Sequence, residues 1–194
     1  CQYSDSKGYG DYAINLLSGQ GFFLCPGIGP SGRTPVYPMM LTIIFFLFGH
    51  SIFAVQIVEI VLFIITSVIT YYIGRQLFSN AIGVLAGFLV AINPDLRIFV
   101  YYQLTENTFT FFLMLSIFLY ILANKKNNDE NILYPLSGIF FGLTALTKPS
   151  FIYYPVFLTI VVLIIFLKNK IWHKGIFIML IFYSITILPW IIRN

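Results

Sequence analysis

The chain of 194 residues is 59% hydrophobic and only 9% charged, and its mean hydropathy is +0.89. A soluble domain cannot bury so much apolar surface, so this composition excludes one and predicts an all-α, multi-pass membrane protein. The net charge of +4 comes mostly from lysines in short loops between apolar runs. These lysines indicate membrane topology and not a nucleic-acid-binding surface.

The first 50 residues are predicted to form an outer loop with two short interfacial helices. Residues 5–18 are typical of an amphipathic helix too short to span, because apolar residues recur at helical spacing: Tyr9, Tyr12, Ala13, Leu16 and Leu17. Residues 21–34 are predicted to be irregular. Residues 35–49 are predicted to form the second helix, whose apolar run is shorter than the roughly 20 residues that a span needs.

The remaining residues, 51–194, are predicted to be membrane spans joined by short loops. We expect six spans, or five if the second is too short, from the apolar runs 51–74, 81–92, 105–123, 132–147, 151–167 and 175–192. An aromatic-rich link, 96–103, is expected after the second. Because the chain begins at Cys1 and ends where a helix leaves the membrane, we expect residues 1–194 to be part of a single transmembrane domain without its first helix and C-terminal region.

The basic residues predict how the chain is oriented in a cell membrane, either a plasma or an inner membrane. The densest basic cluster, 168–174, should be cytoplasmic. That orientation places a set of charged residues together on the outer face: Asp5, Arg33, Glu106, Lys148 and Arg193.

Charge at membrane level is costly and is usually retained for a substrate or partner. A carboxylate such as Asp5 can act as a general base for an acceptor hydroxyl, whereas Arg33 and Lys148 suit a phosphate. The combination predicts group transfer from a lipid phosphate. Simpler explanations are an N-cap for Asp5, a favourable helix-terminus charge for Glu106, and interfacial anchors for Arg33 and Lys148.

Three other acidic residues are not expected to carry the chemistry. Asp11 is predicted to lie on a solvated helix face, and Asp95 in a turn after Pro94. Glu59 lies in the middle of a predicted span, so we expect it to bond to a neighbouring helix, at the wrong depth for a surface site.

Short motifs recur along the chain in a specific order. The first are Asp5-x3-Tyr9-x3-Ala13-x-Asn15-Leu16-Leu17-x-Gly19-x-Gly21-Phe22, Arg33-x-Pro35-x-Tyr37-Pro38 and Phe48-Gly49-x-Ser51. They are followed by Asn93-Pro94, Leu104-Thr105-Glu106, Gly142-Leu143-x-Ala145-Leu146-Thr147-Lys148-Pro149 and Leu188-Pro189-Trp190-x2-Arg193-Asn194. This arrangement resembles the GT-C membrane glycosyltransferases, in particular the protein O-mannosyltransferases and lipid A aminoarabinose transferases of glycosyltransferase family 39 and its relatives.

The resemblance implies a glycosyltransferase that moves a sugar from a polyprenyl-phosphate donor to a lipid, glycan or protein acceptor, with inversion at the anomeric carbon. The mannosyltransferases often carry an Asp-Glu pair in the first loop, whereas Ser6 follows Asp5 here, which favours a lipid or glycan acceptor. The site residues that the resemblance implies are catalytic Asp5 and Glu106, and substrate-binding Arg33, Lys148, Tyr9 and Arg193.

Such a transfer needs no cofactor, although a divalent metal between Asp5 and Glu106 remains an open alternative. Membrane lipid is the other expected partner. The alternative function is a transporter or flippase of lipid-linked sugars, which should show helices broken mid-span and related halves. Neither pattern is visible in the sequence. A non-catalytic scaffold is a third alternative, but it would not need an Asp, an Arg and a Lys on one face.

Overall fold

A computed structural model describes residues 5–22, 33–102, 104–126, 132–154 and 174–193. The described residues are almost entirely helical and contain no strand, which confirms the predicted all-α class. In chain order the helices are α1 (Asp5–Leu17), α2 (Val36–Phe48), α3 (Ile52–Leu77), α4 (Asn80–Ala91), α5 (Pro94–Tyr102), α6 (Glu106–Lys126), α7 (Leu133–Ala145), a 3-10 helix (Pro149–Tyr153) and α8 (Lys174–Arg193).

Three of these helices, α3, α6 and α8, are long and apolar enough to cross a membrane. Helices α4 and α5 together meet the same criteria, with a bend of 42° between them. The described residues thus hold three or four candidate spans, fewer than the six or five expected, because α4 ends after 12 residues and α7 after 13. Most of the predicted span 151–167 lies outside the described residues.

The aromatic-rich link predicted at 96–103 is wrong, because α5 occupies most of it. Asn93 starts this helix: its Oδ1 accepts hydrogen bonds from the backbone N–H groups of Asp95 at 2.9 Å and Leu96 at 3.2 Å. Pro94 follows at the first helical position, where its missing N–H costs nothing. The Asn-Pro pair that ends α4 therefore also begins α5, and Asp95 lies in a helix and not in a simple turn.

The long helices pack side by side in the order α4, α3, α6, α7, α8, and α1 lies on α2. Close approach of α7 and α8 requires glycine: a Cβ added at Gly142 would lie 2.6 Å from the Cβ of Thr186. Helix α6 runs antiparallel to α7, and reciprocal bonds between Ser116 and Ser137 join them, from Ser116 Oγ to Ser137 O at 2.9 Å and from Ser137 Oγ to Ser116 O at 3.0 Å.

Large apolar side chains cover the outside of the bundle, as a bilayer requires. The most exposed are at least 70% accessible: Phe46, Phe53, Phe78, Tyr101, Tyr153 and Ile192. The buried apolar residues form one core where α1, α2 and α3 meet, and a second between α7 and α8. The distribution is that of a membrane protein, as predicted.

The two ends of the bundle carry different charged residues. Glu106 begins α6 and Arg193 ends α8, and both belong to the end of the bundle at which α7 stops. At the other end, Lys125 donates a hydrogen bond to Gln76. This division agrees with the two sides inferred from the sequence, and the cytoplasmic assignment of the second side remains a prediction.

Candidate functional site

The site is centred on an ion pair between two of the residues predicted for it. Lys148 Nζ lies 3.1 Å from Glu106 Oε1, because the antiparallel packing of α6 and α7 brings the start of one helix beside the end of the other. The Lys148 and Glu106 side chains are 40% and 27% exposed, so a ligand can reach both. A pair this exposed stabilises a fold by only about 0–1 kcal/mol, which does not account for two charges at the end of membrane helices.

Neighbouring groups orient both members of the pair. The Thr105 hydroxyl donates to the second oxygen of Glu106 over 3.4 Å. The Lys148 ammonium lies 5.7 Å from the centre of the Phe109 ring, within the range of a cation–π contact. The ammonium therefore has one charged partner and one aromatic wall, which leaves hydrogen-bonding capacity for an incoming anion.

The segment before α2 is pinned against the end of α7 by two hydrogen bonds. The Thr34 hydroxyl donates to the Thr147 carbonyl at 2.9 Å, and the backbone N–H of Val36 donates to the Leu146 carbonyl at 3.1 Å. Thr34 and Thr147 are both almost fully buried. Their chain neighbours Arg33 and Lys148 are consequently held at one edge of the bundle.

Arg33 packs on α1 and α2 through an aromatic stack. Its guanidinium carbon lies 4.6 Å from the centre of the Tyr9 ring, and Tyr9 meets Tyr37 edge to face at 5.1 Å. Glycine at position 8 permits this packing, because a Cβ there would lie 3.3 Å from the Arg33 guanidinium. We refer to Arg33, Tyr9 and Tyr37 as the Arg33 stack.

Asp5 is the first residue of α1, one helical turn before Tyr9. The Asp5 side chain lies outside the described part of the structure, so its catalytic role remains a prediction. Among the described side chains, no three His, Cys, Asp or Glu residues form a group that could hold a metal ion. A metal held by Asp5 and Glu106 is therefore untested.

Arg193 contacts the segment that follows α1. Its Nη2 atom donates to the Phe22 carbonyl at 3.4 Å, and its guanidinium lies 5.1 Å from the Phe22 ring and 5.0 Å from the Trp190 ring. An apolar groove of about 470 Å³ opens beside it, bounded by Leu16, Met39 and Leu143 among others. The structure thus joins Glu106 with Lys148 and Arg33 with Tyr9, whereas the described contacts of Arg193 are with neither pair.

A buried carboxyl group adjoins this site. Glu59 of α3 is fully buried, and Thr108 of α6 donates a hydrogen bond of 3.2 Å to its Oε1. The expectation that Glu59 bonds to a neighbouring helix is confirmed. Tyr37 and Asn107 also face the Glu59 carboxyl group, and we refer to these four residues as the buried polar cluster.

Sequence reasoning assigned no functional role to Tyr37, Asn107 or Thr108. Tyr37 lies within the motif Arg33-x-Pro35-x-Tyr37-Pro38, which was the available signal. The sequence gives no such signal for Asn107 and Thr108, since polar residues are common in the first turn of any helix.

Comparison with known proteins identifies the family. A family model described as dolichyl-phosphate-mannose-protein mannosyltransferase matches residues 32–192, a range that includes Arg33, Glu106 and Lys148. No curated protein and no solved structure matched the chain. The family match covers most of the sequence and agrees with the helical membrane bundle. The chain therefore belongs to the dolichyl-phosphate-mannose-protein mannosyltransferase family and is a membrane glycosyltransferase of the GT-C kind.

Proposed function

We propose that this protein transfers a sugar from a polyprenyl-phosphate donor to an acceptor hydroxyl at the outer face of a cell membrane. The observation that carries the proposal is the accessible ion pair of Glu106 and Lys148, at the edge where Arg33 is also held. Two cations at the end of the bundle where α6 begins suit a phosphate that a lipid anchors at the same depth. Membership of the mannosyltransferase family supports the same donor class.

In the proposed reaction, the Asp5 carboxylate accepts the proton of the acceptor hydroxyl, and the acceptor oxygen attacks the anomeric carbon of the sugar. The bond between that carbon and the phosphate oxygen breaks, and its electron pair leaves with the polyprenyl phosphate. Attack opposite the leaving group inverts the anomeric configuration. Lys148 and Arg33 stabilise the negative charge that develops on the phosphate.

Glu106 has two parts in this scheme. It holds the Lys148 ammonium in place before the donor arrives, and it lines the site as the second carboxylate. When a phosphate reaches Lys148, the ammonium bonds it with one N–H donor while another stays with Glu106, so neither charge of the pair is left alone at membrane level. The scheme uses no cofactor.

The test uses the full-length protein in liposomes with a labelled polyprenyl-phosphate sugar and lipid, glycan or protein acceptors supplied separately. Release of free polyprenyl phosphate is measured for the wild type, for Asp5→Asn and for Asp11→Asn, a matched control on the same helix. Asp5→Asn should lower the rate by about 10²–10⁴-fold. Asp11→Asn should stay within about twofold of the wild type.

Full activity of Asp5→Asn would remove Asp5 from the mechanism. Failure of the wild type to release polyprenyl phosphate, together with movement of the labelled lipid between leaflets, would identify a flippase instead. The acceptor that supports release defines the acceptor class.

A further inference from the structure

The buried polar cluster contains more hydrogen-bonding capacity than its members use. The second carboxyl oxygen of Glu59, the Tyr37 hydroxyl and the Asn107 Oδ1 atom are all buried, and none makes a hydrogen bond of good geometry in the described part of the chain, although Tyr37 and Asn107 lie close enough to interact with the Glu59 carboxyl group. Thr108 alone bonds the Glu59 carboxyl group at standard distance. A half-satisfied polar cluster inside a membrane bundle is costly, so its retention requires a reason.

The cluster lies where three helices meet. Glu59 belongs to α3, Tyr37 to α2, and Asn107 and Thr108 to the first turn of α6. Tyr37 also belongs to the Arg33 stack, through its edge-to-face contact with Tyr9. The partners of Glu59 thus belong to two parts of the proposed transfer site, with Tyr37 in the Arg33 stack and Asn107 and Thr108 next to Glu106.

The α6 side of the cluster leads directly to the ion pair. Asn107 and Thr108 immediately follow Glu106, and the Asn107 amide donates to the Leu96 carbonyl of α5 at 3.2 Å. The Thr108 hydroxyl also lies 3.7 Å from the Met40 sulfur atom of α2. The Glu59 carboxyl group is therefore bonded to the first turn of α6, on which Glu106 is placed.

Helix packing alone does not explain a carboxyl group at this position. Buried polar or ionic groups can often be replaced by apolar residues of similar size without loss of stability. A methionine of similar length would fill the same space between α3 and α6. The carboxyl group is the one feature of Glu59 that an apolar residue could not supply.

We propose that Glu59 is a positioning residue for sugar transfer. Its carboxyl group accepts the Thr108 hydrogen bond and faces the Tyr37 hydroxyl, and so fixes the Arg33 stack relative to Glu106. Glu59 does not touch the substrate. This inference rests on the proposed function, and it requires hydrogen bonding from residue 59 and not proton transfer.

Two variants of Glu59 test whether the hydrogen bonding, the charge or the size of its side chain is required for transfer. Glu59→Gln keeps an oxygen that accepts from Thr108 and adds an N–H donor for Asn107, whereas Glu59→Met keeps only the length. Transfer is measured with the full-length protein in liposomes. We expect Glu59→Gln to retain kcat and donor KM within about twofold. Glu59→Met should lower kcat by about tenfold or more, with donor KM changed by less than about threefold, because misplaced groups slow the chemical step.

A second readout does not depend on activity. Thr34 is 3% exposed, and the backbone bond from Val36 to the Leu146 carbonyl holds its segment even when residue 34 is changed, so a thiol at this position reports whether the segment before α2 stays docked. Thr34→Cys is introduced after all native cysteines are replaced by serine, and its rate of modification by a membrane-impermeant thiol reagent is measured. The rate should be unchanged by Glu59→Gln and raised about tenfold by Glu59→Met.

The outcomes are distinguishable. A Glu59→Gln variant as slow as Glu59→Met would overturn the proposal, because charge would then be required. Wild-type kcat and thiol protection in Glu59→Met would also overturn it. If the wild type transfers no sugar, the proposed function fails while the thiol measurement still tests the positioning role. If Glu59→Met does not fold, Thr108→Val, which removes the hydrogen bond from Thr108 to Glu59, replaces it with the same two expectations.

Discussion

Lys148 Nζ and Glu106 Oε1 lie 3.1 Å apart although 42 positions separate the two residues in the chain. The contact depends on α6 beginning at the place where α7 ends. Because both side chains are partly accessible, the pair can open toward a ligand without exposing a buried charge.

The first prediction concerns the cation of this pair. Lys148→Met should lower release of polyprenyl phosphate by about 10²–10³-fold, as loss of one preorganised charge-stabilising donor does in other enzymes. The matched control is Lys125→Met, at the opposite end of the bundle, where the lysine bonds Gln76. Equal rates of polyprenyl-phosphate release for Lys148→Met and Lys125→Met would show that Lys148 has no part in catalysis.

The second prediction concerns Arg33. Arg33→Lys retains the charge but loses the planar group that stacks on Tyr9, so the donor KM should rise by about tenfold. Arg97→Lys is the control, because Arg97 donates to the Ile92 carbonyl at 2.7 Å in another part of the bundle. An equal change of the donor KM in both variants would show that the effect comes from replacing any arginine by lysine and is not specific to Arg33.

A third prediction tests Arg193 as a substrate-binding residue. Arg193→Met should raise the donor KM by about tenfold if the guanidinium bonds a charged group of the substrate. Lys174→Met changes a cation at the other end of the same helix and should leave the donor KM unchanged. An unaltered donor KM in Arg193→Met would show that Arg193 has a structural role, which is to hold Phe22 near the end of α1.

The fourth prediction concerns stability. Gly142→Ala should lower the free energy of unfolding by about 1–3 kcal/mol, because the added methyl group would press on Thr186. Gly10→Ala is the control: no atom lies within 4 Å of a Cβ at this helical position, and alanine there should stabilise α1 by up to about 1 kcal/mol. Thermal unfolding of the detergent-solubilised protein measures both, and an unchanged midpoint for Gly142→Ala would contradict the packing of α7 on α8.

Local pattern was sufficient to predict the long helices and the end of the bundle at which Glu106 and Lys148 lie. It failed at Asn93 and Pro94, because an Asn-Pro pair that terminates one helix can equally cap the next. The buried polar cluster could not be predicted, since helical periodicity does not show which faces of α2, α3 and α6 meet. The role of Thr108 depends on its hydrogen bond to Glu59, which lies 49 positions earlier in the chain.

The hydrogen bond from Thr34 to Thr147 also constrains how the protein is made. The two residues are 113 positions apart. At ordinary rates of translation, Thr147 is therefore added to the chain on the order of ten seconds after Thr34, which donates the hydrogen bond to its carbonyl. During that time the nascent chain carries Arg33 without its docking partner. The edge of the bundle that holds Arg33 and Lys148 therefore forms only after α7 has been made, and a chain released by the ribosome before residue 147 cannot assemble it.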